Sequence, residues 1–199
     1  MEKWEGLAGV IGADPGFRRQ GTTYFCDHEA DMAKYEAWMK AMAAFALDTH
    51  FVNRQRVNEL APGNTRNFAG GLHTPSDGFA EPHLATRLIV QGARRLGATI
   101  VEGCAVRGFE TEGGRVSEVV TEKGTIIAEH LVNAGGLWAR EIGAMAGVYL
   151  PLLPMAHQYL VTDDIPEIVN FLKTGREFPH VMDPGGESYL RQEGRGLCI

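Results

Sequence analysis

The stretch Thr125–Val148, TIIAEHLVNAGGLWAREIGAMAGV, decides how the rest of the chain is read. An apolar, largely β-branched run (Ile126, Ile127, Leu131, Val132) leads into Asn133-Ala134-Gly135-Gly136, and helical spacing then opens at Leu137 and closes at Gly147. The order is strand, tight glycine turn, helix. The two glycines remove Cβ atoms where the strand turns. Backbone N–H groups and the positive end of the helix dipole thereby become accessible to an anion such as a pyrophosphate. Gly-Gly between a strand and a helix is also the pattern of a plain tight turn, and the local sequence leaves both readings open.

Working backwards, Thr99 to Val106 reads as a strand. Two short hairpins follow it: Arg107 to Thr111 and Arg115 to Thr121 joined at Gly113-Gly114, then a turn at Glu122-Lys123-Gly124. The chain is expected to return to its main sheet at Leu131 to Asn133. Before Thr99, Leu84, Leu88, Ile89 and Leu96 fall on one side of a helix and Arg87, Gln91, Arg94 and Arg95 on the other, with Pro82 in the first turn and Gly97 as the stop. Upstream of that, Gly70 to His83 is dense in turn formers. His73 and Asp77 are spaced by four but separated by Pro75, so the turn role of Asp77-Gly78 is preferred to a ligand or catalytic pair.

In the first third, Gly6 to Phe17 is glycine-rich with a turn signal at Asp14-Pro15-Gly16, and Arg18 to Cys26 favours a strand. Asp27 is a candidate helix cap. From Asp31 to Leu47, Met32, Tyr35, Trp38, Met39, Met42, Phe45 and Ala46 recur at three or four residues and predict one apolar, core-facing helical side. Toward the end, His157 to Thr162 reads as a strand, Asp163 to Gly175 as a loop or short helix, and Ser188 to Arg191 with Gly196 to Ile199 as a hairpin about Glu193-Gly194. The pattern as a whole is α/β, or mixed α+β.

Composition narrows the function classes. At 199 residues, 44% hydrophobic and 22% charged, the chain can bury a core as one large domain or two small lobes. Formal net charge is −6, and Lys and Arg are scattered rather than gathered, which argues against nucleic acid as a partner. Cys26, Cys104 and Cys198 are odd in number and far apart, so neither a disulfide framework nor a metal clip is indicated, and a reducing compartment is expected. No stretch approaches the roughly 20 apolar residues that span a bilayer, so no membrane partner is expected.

Several segments together carry a resemblance. GGLHTPSDGFAEPH, GARRLGATIVEGCAV, VSEVVTEKGTIIAEHLVNAGGLWAREIGAMAGV, PLLPMAHQYLVTDDI and SYLRQEGRGLCI resemble the FAD-dependent oxidoreductases of the D-amino-acid oxidase superfamily, nearest the dimethylglycine and sarcosine dehydrogenase branch. The resemblance implies a two-lobe flavoenzyme that binds FAD. Residues 6–80 and 149–199 are then expected in a substrate lobe with an antiparallel sheet, and residues 81–148 in the FAD-binding lobe. By position, Val106 resembles the residue whose backbone meets the adenine. Ala134, Gly135 and Gly136 resemble the turn approaching the ADP part, with Trp138 beside them.

The implied chemistry takes a hydride from the carbon next to an amine nitrogen and leaves an iminium for water or a folate acceptor. The resemblance leaves room for tetrahydrofolate in a longer parent protein, and no residue of this chain supports it. The resemblance points to His157 in AHQYLVT and Tyr189 in SYLRQ as catalytic residues, with Tyr159 and Arg191 as neighbouring alternatives. A neutral histidine suits binding a carboxylate or accepting an amine proton. No metal is implied.

Two departures from the family pattern stand out. The opening GxGxxG strand-turn-helix that grips pyrophosphate and ribose is absent, because Gly9, Gly12 and Gly16 lack the spacing. A second flavin-contacting segment after the last strand is missing as well. The chain therefore reads as an internal fragment, 1–199, of a longer flavoprotein, and any covalent histidyl attachment of the flavin would fall outside it. The expected activity is oxidation of an N-methylated amino acid, dimethylglycine or sarcosine, in the cytoplasm, or in the mitochondrial matrix of a eukaryote. The alternatives are an interaction module without redox activity, or a relative acting on another amine, a D-amino acid or glycerol phosphate. The electron acceptor is left open.

Overall fold

The computed structural model describes residues 2–199. It is mixed α/β and divides into two compact units, Met1–Ala98 with Gln158–Ile199, and Thr99–His157. In chain order the elements up to the boundary are α1 (Glu2–Ile11), β1 (Arg18–Arg19), β2 (Thr22–Cys26), α2 (Glu29–Met42), β3 (His50–Asn53), α3 (Arg54–Leu60), β4 (Gly70–Thr74), β5 (Gly78–Phe79) and α4 (Pro82–Arg95). After it come β6 (Val106–Glu112), β7 (Arg115–Thr121), β8 (Gly124–Ile127), α5 (Ala139–Met145), α6 (Pro166–Leu172), β9 (His180–Asp183), β10 (Ser188–Glu193) and β11 (Gly196–Cys198).

The first unit is built on a six-stranded sheet of order β11-β10-β9-β2-β4-β3. Only β2 and β9 run parallel; the other neighbours are antiparallel. Alternation along the strands puts Phe25, Val181, Leu190 and Leu197 on one face, where they pack with Val57, Phe68, Ile168 and Phe178 into the core. Val57 and Val181 are fully buried. At roughly 1.5–3 kcal/mol for each large apolar side chain withdrawn from water, this cluster is the main stabilising feature of the unit.

Departures from the sequence expectations have local causes. Within the glycine-rich stretch Gly6 to Phe17, α1, which the sequence does not signal, runs to Ile11 before Gly12 turns at φ +66°. Ile11 is buried against α4, where Gly92 has no room for a Cβ, which would stand 2.9 Å from Ile11 Cγ2. Asp27 does not cap α2. His28 takes that position, its amide donating to the Asp31 carboxylate at 3.1 Å. Nor is the apolar side of α2 core, since none of its residues is buried and Trp38 is 41% exposed. The helix itself stops at Met42, and a 3-10 turn carries the chain to Phe45.

Within the second unit the meander forms as expected. Gly113 and Gly114 both take positive φ, which a two-residue hairpin with matching twist requires. The two flanking strands do not form. Residues 99–105 lie outside any strand, and so do residues 128–135, where Val132 is 84% exposed. Both runs have strand composition, but a strand needs a ladder of hydrogen bonds to a neighbour, and among the described residues neither run has one, the backbone bond from the Glu122 amide to the Ala105 carbonyl at 3.1 Å standing alone. His157 to Thr162 likewise yields only a bridge, Val161 to Cys198, extended by hydrogen bonds between Leu160 and Ile199.

Candidate functional site

In the second unit the candidate site is the turn Asn133–Trp138. The Asn133 side chain holds it from both ends: Oδ1 accepts the Gly135 amide at 3.1 Å, and Nδ2 donates to the Ala139 carbonyl at 2.8 Å. A Cβ on Gly135 would stand 2.5 Å from Ile142 Cδ1 and 3.0 Å from Asn133 Oδ1, so the turn lies close on α5. Gly136 takes φ +52° and a Cβ there would meet nothing, leaving its exposed face open to an approaching group. A 3-10 turn, Gly136–Trp138, precedes α5, and the Trp138 amide donates to Gly135 O at 2.9 Å.

Of the other residues expected here, Val106 heads β6, half-buried and paired with Thr121. Ala134 and Trp138 are exposed, the latter 66%. The residues present fit one wall of a nucleotide site: a tight glycine turn, an open backbone ribbon and an indole. They include no acidic residue placed to hold a ribose. The glycines of NAGG are legible in the sequence, whereas Asn133, which fixes them, is not among the expected site residues. The signal was an asparagine two positions before the first glycine, where it can accept that amide in an Asx turn.

In the first unit the candidate site lies on the sheet face opposite the core. Register puts Tyr189 opposite Met182, and Met182 opposite Tyr24. These three side chains form a row across β10, β9 and β2. Beside that row the rings of His180 and Tyr189 meet edge to face, with centroids 5.9 Å apart at 88°. His180 Nε2 is buried and has no hydrogen-bond partner. Burial holds the imidazole below its ordinary 6.5; Arg191 acts in the same direction and Asp77 opposes. The ring is therefore neutral at pH 7 and keeps an unshared lone pair or an undonated N–H. Tyr189 is 47% exposed and Arg191 pairs with Glu193.

Such a face can orient a small polar molecule through a neutral imidazole, a phenol and a guanidinium. His180 was not singled out from sequence, because a lone histidine in HVMD has the pattern of an ordinary strand residue. His157 lies at the last position of the second unit, exposed and outside any strand, whereas Tyr189 belongs to the first unit. Tyr159 is 72% exposed.

His73 has another role. Its Nδ1 lies 2.8 Å from Thr23 Oγ1 inside the sheet, and it does not pair with Asp77. Burial, together with His50 and Arg56, holds its pKa below 6.5, opposed by the Thr22 backbone and Asp48. Among the described residues no His, Cys, Asp and Glu group could hold a metal ion. No helix among them is long and apolar enough to cross a membrane.

The family model described as FAD dependent oxidoreductase, DAO, matches residues 1–199. Mitochondrial dimethylglycine dehydrogenase of Mus musculus is 34% identical over 200 residues, covering 100% of this chain and 23% of that protein. Mitochondrial sarcosine dehydrogenase of Mus musculus is 30% identical over 194 residues, covering 94% of this chain and 20% of its own length. This chain thus spans about a quarter or less of these relatives. Among solved structures, L-proline dehydrogenase from P. horikoshii superposes with a TM-score of 0.82 at 26% identity, covering 99% of this chain and 51% of that one.

Proposed function

This chain belongs to the DAO family of FAD-dependent oxidoreductases, and from that premise we propose that it forms part of an enzyme oxidising the C–N bond of an N-methylated amino acid, dimethylglycine or sarcosine. The family implies FAD, which when bound accepts a hydride from the carbon beside the amine nitrogen. What this chain adds is positioning. The observation that carries the reading is the half-buried His180, its buried Nε2 without a hydrogen-bond partner, against Tyr189 on an open sheet face, in a chain whose relatives include dehydrogenases of dimethylglycine and sarcosine.

In this reading the Tyr189 hydroxyl donates to the substrate. His157 holds the substrate carboxylate or takes the amine proton, so that the nitrogen lone pair is free. Val106, Ala134, Gly135, Gly136 and Trp138 line the adenine nucleotide side, with residues 81–148 belonging to an FAD lobe and residues 6–80 and 149–199 to a substrate lobe. Nothing in the chain is assigned to tetrahydrofolate.

The test is the visible spectrum of the purified chain before and after adding FAD, followed by anaerobic addition of dimethylglycine and of sarcosine. Bleaching of bound flavin by either amine supports the reading, and the faster of the two identifies the substrate. Flavin that binds but is reduced by neither overturns the amine reading. Failure to retain flavin at all favours the alternative, a substrate-lobe module without redox activity of its own.

A further inference from the structure

The face that carries Tyr189 and His180 continues across β2 and β4 to a cavity of about 410 Å³ under α2. Its walls are aromatic: Tyr24 from β2, with Tyr35 and Trp38 from α2, the two tyrosine rings edge to face with centroids 5.9 Å apart. Tyr35 and Trp38 stand three residues apart and so share one side of the helix. Leu72 closes the apolar part. At the polar end Thr49 and Thr74 pair their hydroxyls at 2.9 Å.

Asp77 lines the same cavity, half-buried, and among the described residues its carboxylate has neither a hydrogen bond nor an ion pair. The carboxylate nearby behaves differently: Asp48 is fully engaged, accepting the Ser76 amide at 2.8 Å and the Ser76 hydroxyl at 2.7 Å. The side of α2 that the sequence marked as core thus stays open over this cavity instead of closing on apolar neighbours.

Aromatic faces attract a cation through their quadrupole, most strongly when it is weakly hydrated, as an alkylated ammonium is. A single unpaired carboxylate at the rim supplies the counter-charge. A neutral apolar guest would gain from the rings but leave Asp77 uncompensated, and an anion would be repelled by it. From this geometry we infer that the cavity bounded by Tyr24, Tyr35, Trp38 and Asp77 binds a small alkylated ammonium ion. Because Tyr24, Met182 and Tyr189 stand in one row over adjacent strands β2, β9 and β10, the Tyr24 wall of the cavity lies about 10 Å, two strand spacings, from Tyr189 on the same face. It is a waiting subsite for the protonated amine beside the place of reaction. The choice of an amine as the natural guest rests on the functional reading above; the preference for a cation does not.

The test uses two isosteres, choline and its neutral carbon analogue 3,3-dimethylbutan-1-ol, titrated into the whole chain without flavin while the Trp38 indole N–H resonance is followed by NMR. Choline should shift that resonance saturably and bind at least about tenfold more tightly than the alcohol, the factor that about 1.4 kcal/mol of cation-specific attraction gives. Trp38→Leu, at an exposed position that the fold does not need, and Asp77→Asn, read through the neighbouring backbone amides, should each weaken choline about tenfold. Tyr189→Phe should leave it unchanged. Equal response to the two isosteres, or no response to choline at 100-fold excess over the chain, overturns the inference. Flavin bleaching by dimethylglycine together with equal isostere binding removes the cavity's role and leaves amine oxidation standing. Selective choline binding by a chain whose flavin no amine reduces does the reverse.

Discussion

The Asn133 side chain bridges Gly135 and Ala139, accepting the glycine amide at 3.1 Å and donating to the alanine carbonyl at 2.8 Å, so one residue sets the entry to α5. Asn133→Ala removes both bonds at once. At about 1 kcal/mol for each hydrogen bond in a partly exposed setting, a loss of about 1–2 kcal/mol is expected. Hydrogen exchange at residues 135–139 should speed up while the first unit stays protected. Unchanged exchange there would show that backbone packing alone fixes the turn. Gly136→Val, which forces a branched residue into φ +52°, should cost a similar amount and weaken FAD retention.

Tyr189→Phe removes only a hydroxyl from an exposed ring. If that hydroxyl meets the substrate, anaerobic flavin reduction by dimethylglycine should slow by about 10²-fold with the thermal midpoint unmoved. His180→Phe keeps the ring against Tyr189 and deletes the unpartnered nitrogen, and it should slow the same step less. A Tyr189→Phe variant with full reduction rate would assign the residue to packing.

Stability should depend on pH around neutrality through two histidines. Burial leads the depression of both His73 and His180 below 6.5 in the folded state. The unfolded chain binds these protons first, so their contribution is complete above about pH 6.5 and is lost as pH falls from there through the folded-state values. Urea midpoints measured between pH 8 and pH 5 should therefore fall over that window, and His73→Asn should flatten part of the slope. Asp14, Asp31, Asp48 and Glu59, all lowered chiefly by hydrogen bonds from neighbouring side chains, act only further down, below about pH 4.5. A midpoint that is flat from pH 8 to pH 5 would contradict the histidine assignment.

Arg66 joins three parts of the first unit. It pairs with Asp27 at 2.6 Å and with Asp183, and its guanidinium lies 4.6 Å over the Phe68 ring. Asp183 is almost fully buried, so Arg66→Gln leaves a carboxylate short of its partner. Arg66 itself is 44% exposed, and screening by solvent keeps the expected cost to about 1–2 kcal/mol in urea unfolding. Asp183→Asn in the same chain should restore part of it. Additive losses in the double variant would mean that the two residues do not act as a pair.

The thiol of Cys26, pushed up to about 11 by burial with Asp31 and Asp27 adding to it, should resist iodoacetamide at pH 8 for as long as the chain stays folded, while the half-buried Cys104 is alkylated. Equal labelling of the two would show that β2 opens readily.

Much of the architecture follows from local chemistry that the chain carries in plain order. Gly113-Gly114 can only be a tight hairpin turn, because both positions take positive φ. Pro82 and Gly97 bracket α4 because one lacks a donor and the other tolerates a left-handed end. Asn133 to Gly136 marks the turn into α5, and the motifs around these points carry the family resemblance. The candidate glycines were therefore legible, since a requirement on φ or on Cβ space is a property of single residues.

Tertiary structure decided what depends on partners far along the chain. Leu131 to Asn133 and Thr99 to Val101 have the composition of strands, yet a strand needs a neighbour's hydrogen bonds, and none of the described residues provides one. The apolar spacing of α2 is real, but whether its aromatic side becomes core or the wall of a cavity rests on what β2 and β4 place beneath it. His180 became a candidate only when the pairing of β9 with β10 brought it against Tyr189 and left Nε2 without a partner. Sequence determines conformational permission residue by residue; burial, pairing and charge environment arise from contacts between distant segments, and only the folded chain fixes them.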